Sequence, residues 1–219
     1  MPAMPGAPEP LTPAAFAEHC AVSRETLDRL ERYAALLRRW QRAINLVGRG
    51  TLDDPWRRHF WDSAQLLPLL PTGAARLVDL GSGAGFPGMV LAIMGVEGIT
   101  LVESDQRKCA FLQEVARETG AAVAIEAGRL EDLRDRLPPP DVFMARAVAA
   151  LPLLLETIKL YMTPNTVCLF HKGRRVEEEL TEARRAWSFA SEKIHSQTDP
   201  SGVILRLEGI SHDRDIGGA

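Results

Sequence analysis

Between residues 23 and 42 the apolar positions Leu27, Leu30, Tyr33, Ala34, Leu37 and Trp40 recur every three or four residues, the spacing that gathers them on one face of a helix. Ser23 stands where an N-cap is needed, so a long amphipathic helix is predicted here. A second helical stretch is predicted over residues 55–69, with Phe60, Ala64 and Leu67 in its buried stripe. Pro71, Thr72 and Gly73 then break the chain. Beyond Arg76 the rhythm changes to short apolar runs separated by helical segments. The runs are Leu77-Val78-Asp79-Leu80, Ile99-Thr100-Leu101-Val102, Ala122-Val123-Ala124-Ile125, Val142-Phe143-Met144-Ala145 and Val167-Cys168-Leu169-Phe170. Five strands alternating with helices imply an α/β fold with a parallel sheet and right-handed crossovers. The last part differs again. A helix rich in acids and then in bases is predicted over residues 176–187, and residues 189–196 and 203–207 alternate like half-exposed strands. These two form an antiparallel hairpin at the sheet edge.

Composition sets the frame for this pattern. With 219 residues, 46% hydrophobic and 25% charged, the chain suits one large domain or a domain with an extension; wholesale disorder and a large multi-domain machine are excluded. Pro2, Pro5, Pro8, Pro10 and Pro13 crowd the start, so a flexible leader is expected over residues 1–12, a helical extension over 13–72 and the sheet-bearing unit over 73–219, extension and sheet forming one structural unit. No apolar run approaches the roughly 20 residues of a membrane span, and the first residues lack the pattern of a signal peptide, which places the protein in the cytoplasm. The formal net charge of -3 gives no global pull on nucleic acid, so any such contact needs a local basic patch. Cys20, Cys109 and Cys168 are scattered and without metal-ligand spacing, and read as small buried hydrophobes; no metal is expected.

The densest chemical signal is Val78-Asp79-Leu80-Gly81-Ser82-Gly83-Ala84-Gly85-Phe86-Pro87-Gly88, a strand running into a glycine-rich turn whose backbone can approach a ligand closely and whose following helix presents free amides. Gly83, Gly85 and Gly88 satisfy a dinucleotide fingerprint, and Glu103 stands about 20 residues on, where an acid binds ribose hydroxyls. That much fits a nicotinamide cofactor as well as another nucleoside. Asp79 separates the two: a carboxylate before the first glycine repels a pyrophosphate and suits a cationic ligand such as S-adenosylmethionine.

Further candidates follow the strand ends. Arg129-Leu130-Glu131-Asp132 either walls an adenine pocket or merely starts a helix. Ala145-Arg146-Ala147 carries no motif for orienting an exocyclic amine, so the acceptor does not need one. His171-Lys172-Gly173-Arg174-Arg175 puts positive charge at the same edge, where it either meets RNA or is solvated. Arg38, Arg39, Arg42, Arg49, Arg57 and Arg58, with Trp40 and Trp56 among them, could track a nucleic-acid backbone. His59, three residues before Asp62, reads as structural rather than as a general base.

Taken in order, Trp40 with Asn45-Leu46, Arg58-His59 with Asp62-Ser63, the turn from Asp79 to Gly88, Glu103-Ser104 with Arg107-Lys108 and Phe111-Leu112, Arg129-Leu130-Glu131, Arg146-Ala147 and Lys172-Gly173 make the sequence resemble the ribosomal RNA small-subunit methyltransferase G family, also called glucose-inhibited division protein B. The resemblance covers nearly the whole chain after the leader. It implies a class I S-adenosylmethionine-dependent methyltransferase fold: a Rossmann-like, mainly parallel seven-stranded sheet with an N-terminal helical extension. The implied activity is methylation of N7 of guanine 527 in the 530 loop of 16S rRNA in the small ribosomal subunit. The resemblance implies cofactor contacts at Gly81, Phe86, Leu130, Glu131 and Arg146, with Asp79, Gly83 and Glu103 fitting beside them. Glu103 stands where many relatives have Asp, and Ala145 where Ser is common; both departures are mild.

Guanine N7 has an in-plane lone pair and no proton to lose, so methylation there needs orientation and desolvation rather than a general base. On this reading Arg146 and Lys172 position the guanine or its phosphate, while Arg38, Arg39, Arg42, Arg57, Arg58, Arg174 and Arg175 hold the RNA. The protein acts as a monomer. A nicotinamide-dependent oxidoreductase, a non-catalytic assembly factor and a methyltransferase of small molecules are the alternatives.

Overall fold

A computed structural model of the chain describes residues 9–213. Seven strands form one sheet: β1 (Leu77–Leu80), β2 (Ile99–Glu103), β3 (Val123–Ala127), β4 (Val142–Arg146), β5 (Val167–Lys172), β6 (Trp187–His195) and β7 (Val203–His212). Their order is β3-β2-β1-β4-β5-β7-β6. The first five run parallel, and β7 lies antiparallel to both β5 and β6. The order reverses between β1 and β4, the switch point at whose carboxyl edge open α/β sheets bind ligands. The seven-stranded α/β architecture read from the sequence is thus present, with its antiparallel hairpin at one edge.

The central strands are apolar on both sides because helices cover both faces. One face buries Val78, Leu80, Phe143, Ala145 and Phe170 against α5 (Leu151–Ile158) and α6 (Val176–Ala183). The other buries Leu77, Leu101, Val142, Met144 and Leu169 against α3 (Gly88–Ile93) and α4 (Gln106–Thr119). The same core takes in the N-terminal helices α1 (Pro13–Cys20) and α2 (Arg24–Trp40) through Phe16, Leu30, Tyr33 and Leu37, none of which is exposed. Ser23 caps α2, its hydroxyl accepting from the Thr26 amide at 3.1 Å. Most of the proline-rich leader lies outside the described residues, while Leu11 donates its amide to Asp54 at 2.9 Å.

Boundaries differ from the sequence reading in several places, the last strand among them, which runs to His212 rather than ending at residue 207. The helix expected over residues 176–187 ends at Ala183, because Trp187 is drawn into β6 and buried there. The stretch 55–69 is helical but not one regular helix. Residues Trp56–Trp61 form a π-helical turn, Asp62–Ala64 continue as α, and Leu67–Leu69 close as a 3₁₀ turn around Pro68. The wide turn puts an extra residue into one winding, a distortion that recurs at functional sites.

A candidate active site at the sheet switch point

At the carboxyl edge of β1 the backbone passes through Gly81, Gly83 and Gly85, each at positive φ (57°, 57° and 91°). Gly85 has no room for a side chain: a Cβ would stand 2.7 Å from the Tyr33 hydroxyl and 2.9 Å from both Leu112 and Met89. The turn is therefore pressed against α2 and α4. From α2 the buried Tyr33 stacks on Phe86 with ring centroids 5.2 Å apart, and its hydroxyl donates to the Ala84 carbonyl.

Two buried carboxylates hold the turn from behind. Glu103, at the end of β2, accepts the Gly83 amide at 2.8 Å on one oxygen and the Asp105 amide at 2.8 Å on the other. Each oxygen keeps a further lone pair, enough for a pair of ribose hydroxyls. Asp79 accepts the Gly88 amide at 3.0 Å through Oδ2, and its Oδ1 has no partner among the described residues. Burial pushes its carboxyl up from the usual 3.8 to about 7, against the opposing pull of the Gly88 amide, the Ser82 hydroxyl and Arg146. A cation above the turn would favour the ionised form.

In front of the turn opens a cavity of about 440 Å³, walled by Gly81, Gly83 and Phe86 on one side and by Arg58, His59, Asp62 and Arg146 on another. Arg146 ends β4 and is fixed on every side. Its Nη1 donates to the Arg58 carbonyl at 3.0 Å and to Asp62 at 3.3 Å, its Nη2 to His59 Nδ1 at 3.0 Å, and its guanidinium carbon lies 4.8 Å from the Phe86 ring centroid. Arginine can only donate, so His59 Nδ1 is the acceptor and its proton sits on Nε2. From there it donates to Thr51 at 2.7 Å, and Thr51 donates on to the Gly48 carbonyl at 2.6 Å. Burial and the Arg146 charge push His59 down to about 3, so it stays neutral. It also stacks on Phe86 at 4.8 Å.

Asp62, to which the sequence reading gave no site role, is the hub. Besides Arg146 it takes the Thr198 hydroxyl at 2.7 Å and the Gln65 amide at 3.2 Å, and its carbonyl takes His171 Nε2 at 2.9 Å. His171 Nδ1 has no partner among the described residues, and burial holds the ring neutral. Ala147, next to Arg146, is held at φ 54°, a left-handed conformation that costs a non-glycine residue roughly 1 kcal/mol and is kept where the surroundings dictate it.

The structure thus brings Gly81, Gly83, Phe86, Arg146 and Lys172 to one cavity, with Arg58 on its rim. Lys172 is not free within it. Its Nζ donates to the Ala149 carbonyl at 2.7 Å and to Glu179 at 2.8 Å, with only 6% of the side chain exposed, so it ties β5 to the loop after β4 rather than reaching for a substrate. Asp79 and Glu103 lie behind the turn. Leu130 and Glu131 open the turn after β3, outside the cavity wall, where Leu130 is buried and gives its carbonyl to Tyr161. Arg38, Arg39 and Arg42 are exposed near the end of α2, which leads into residues 46–51 of the cavity wall, and Arg174 and Arg175 are exposed after β5. Arg57 departs from the RNA-facing set: its guanidinium is taken by Asp54 at 2.7 Å and by the Glu9 carbonyl at 2.8 Å. Among the described residues no cluster of side chains could hold a metal ion, and no helix is long and apolar enough to cross a membrane.

Solved structures share this architecture. A putative O-methyltransferase from Klebsiella pneumoniae superposes with a TM-score of 0.56 at 15% identity, covering 83% of this chain and 90% of that one. An O-methyltransferase from Bacillus cereus in complex with SAH gives 0.54 at 12% identity over 85% and 91%. At these identities the likeness concerns the fold. Sequence similarity goes further. "Ribosomal RNA small subunit methyltransferase G" of Rhodospirillum centenum is 57% identical over 190 residues, 87% of each chain, and its namesake from Rhodospirillum rubrum is 54% identical over 200 residues, 91% of this chain and 98% of that one. The family model described as rRNA small subunit methyltransferase G matches residues 26–202, which take in most of α2, the glycine-rich turn, the π-helical turn and the turn after β6. The chain belongs to the rRNA small subunit methyltransferase G family.

Proposed function

We propose that the protein transfers the methyl group of S-adenosylmethionine to N7 of guanine 527 in the 530 loop of 16S rRNA. The observation that carries this reading is the state of the groups around the cavity. His59 is neutral with its free nitrogen occupied by Arg146, and Asp62 is taken up by Arg146, Thr198 and Gln65. Neither stands ready to take a proton, and N7 of guanine has none to give. The site is built to orient two reactants and keep water out.

The donor set fits the cofactor. Gly81, Gly83 and Phe86 form its cradle, Glu103 has lone pairs left for the ribose hydroxyls, and the buried Asp79 places negative potential beneath a cationic ligand. S-adenosylmethionine supplies an electrophilic sulfonium methyl. Arg146 holds its place beside the turn through Phe86, Asp62, His59 and the Arg58 carbonyl and fixes the wall against which the purine lies. Lys172 acts through the loop after β4, which it anchors. Leu130 and Glu131, which the family resemblance assigns to the cofactor, would border its adenine. Arg38, Arg39, Arg42, Arg58, Arg174 and Arg175 supply the positive charge that an RNA backbone requires. The protein works as a monomer in the cytoplasm, where its ribosomal substrate is made.

Transfer of labelled methyl to small ribosomal subunits lacking the modification, with N7-methylguanine mapped by chemical strand scission, tests the reading. Label at guanine 527 is the expected result. Cofactor binding without transfer to that guanine would overturn the acceptor, and no cofactor binding would overturn the donor.

A further inference from the structure

The cavity wall farthest along the sheet from β1 is the turn between β6 and β7. Because β7 runs antiparallel, its first residue Val203 pairs with Lys172 at the end of β5, which carries residues 196–202 to the same edge as the glycine-rich turn but on the other side of β4. The turn is stiff. Ser196 accepts the amides of Thr198 and Asp199, each at 3.2 Å, and Thr198 is bonded to Asp62.

Asp199 stands on this wall. Its Oδ1 is spent inside the turn on the amide and hydroxyl of Ser201, at 2.9 and 2.8 Å. Among the described residues its Oδ2 meets only Arg58 Nη1, at 3.1 Å, and both residues border the cavity. The Asp199 side chain is 35% exposed and that of Arg58 42%, so this is a weak, exchangeable pair. A carboxylate at the mouth of a cleft for a polyanion repels phosphate, so once Arg58 leaves the pair its Oδ2 is left to accept from donors of the ligand. Guanine carries two adjacent donors, N1–H and the 2-amino group, on the edge of the base away from N7. Held by that edge from the far wall, it turns N7 toward the glycine-rich turn.

We infer that Asp199 is a specificity-determining residue: its Oδ2 accepts from N1–H and the 2-amino group of the acceptor guanine, and Arg58, released from the pair, takes a phosphate of the same strand. This rests on the reading that the protein methylates guanine N7 in RNA. The test compares small subunits carrying guanine or inosine at the acceptor position. Inosine keeps N7 and N1–H and lacks only the 2-amino group. The wild-type protein should lose about 10-fold in kcat/KM on inosine, the ordinary penalty for one lost base contact. Asp199→Asn, which keeps an oxygen for Ser201, should lose a similar factor on guanine, lose little more on inosine, and bind S-adenosylmethionine as the wild type does. A wild-type protein indifferent to inosine overturns the inference without any variant, and so does an Asp199→Asn protein that suffers the full wild-type penalty on inosine. No wild-type transfer to the guanine substrate would instead sink the functional reading beneath it.

Discussion

The Tyr33 hydroxyl, carried on α2 in the first third of the chain, donates to the carbonyl of Ala84 in the middle of the glycine-rich turn, while its ring stacks on Phe86 two residues further on. The N-terminal helices are thereby built into the support of the glycine-rich turn rather than attached to the sheet from outside. A buried hydrogen bond of this kind is worth about 1 kcal/mol. Tyr33→Phe keeps the stack and removes only the donor, so it should weaken S-adenosylmethionine binding by roughly fivefold and lower stability by about the same 1 kcal/mol. Calorimetric titration and denaturant unfolding would read the two effects; a cofactor Kd unchanged within error would detach Tyr33 from the cradle.

Asp62 holds Arg146 in place at the cavity wall. Asp62→Asn keeps an oxygen for Thr198 and Gln65 and removes the charge opposite Arg146. A charge-assisted bond is worth about 1.5–3 kcal/mol, so kcat should fall on the order of 10- to 100-fold while the cofactor Kd stays within about twofold. Equal losses in both quantities would mean that Asp62 merely holds the fold.

Asp79 predicts a pH dependence. Its carboxyl is raised from 3.8 to about 7 in the folded protein, so between those values the folded state binds the proton that the unfolded state has lost. Stability from this group is therefore present at low pH and lost as pH rises toward 7. Relative to Asp79→Asn, which does not titrate, the wild-type protein without cofactor should lose on the order of 2–3 kcal/mol between pH 5 and pH 8. Urea unfolding of both proteins at the two pH values checks it. A stability difference that is flat with pH would place the ionisation elsewhere. Cofactor binding at pH 6.5 should in turn release a proton, visible as a buffer-dependent heat.

The exposed arginines at the end of α2 predict a salt dependence. Each phosphate contact contributes about 0.7 to 0.9 to the slope of log affinity against log salt. Replacing Arg38, Arg39 and Arg42 together by Gln should make the slope for 16S rRNA shallower by about 2 to 3 and leave methyl-donor binding alone. Arg57→Gln, whose guanidinium is held by Asp54 and the Glu9 carbonyl, should leave the slope unchanged; a shift there would mean that those contacts open on RNA.

What the sequence determined by itself was local. The strand, the glycines and the acid at the next strand end lie within 25 residues, from Asp79 to Glu103, and a ligand-binding turn is made by backbone conformation that only particular residue types permit. The parallel sheet followed from alternating apolar runs, and the family from motifs quoted in order along the chain. The methyltransferase and its use of S-adenosylmethionine were legible on those grounds. Tertiary structure decided the other wall. Arg146 meets Asp62 across 84 residues and His59 across 87, and Asp62 meets Thr198 across 136. No periodicity encodes such pairs, because each partner's own neighbours in sequence say only helix, strand or turn. The same holds for Lys172, whose charge suggested a hand for the substrate and whose burial against Glu179 made it a brace. Charge can be counted in a sequence, but whether a charge is spent within the protein or left for a ligand depends on what folds against it.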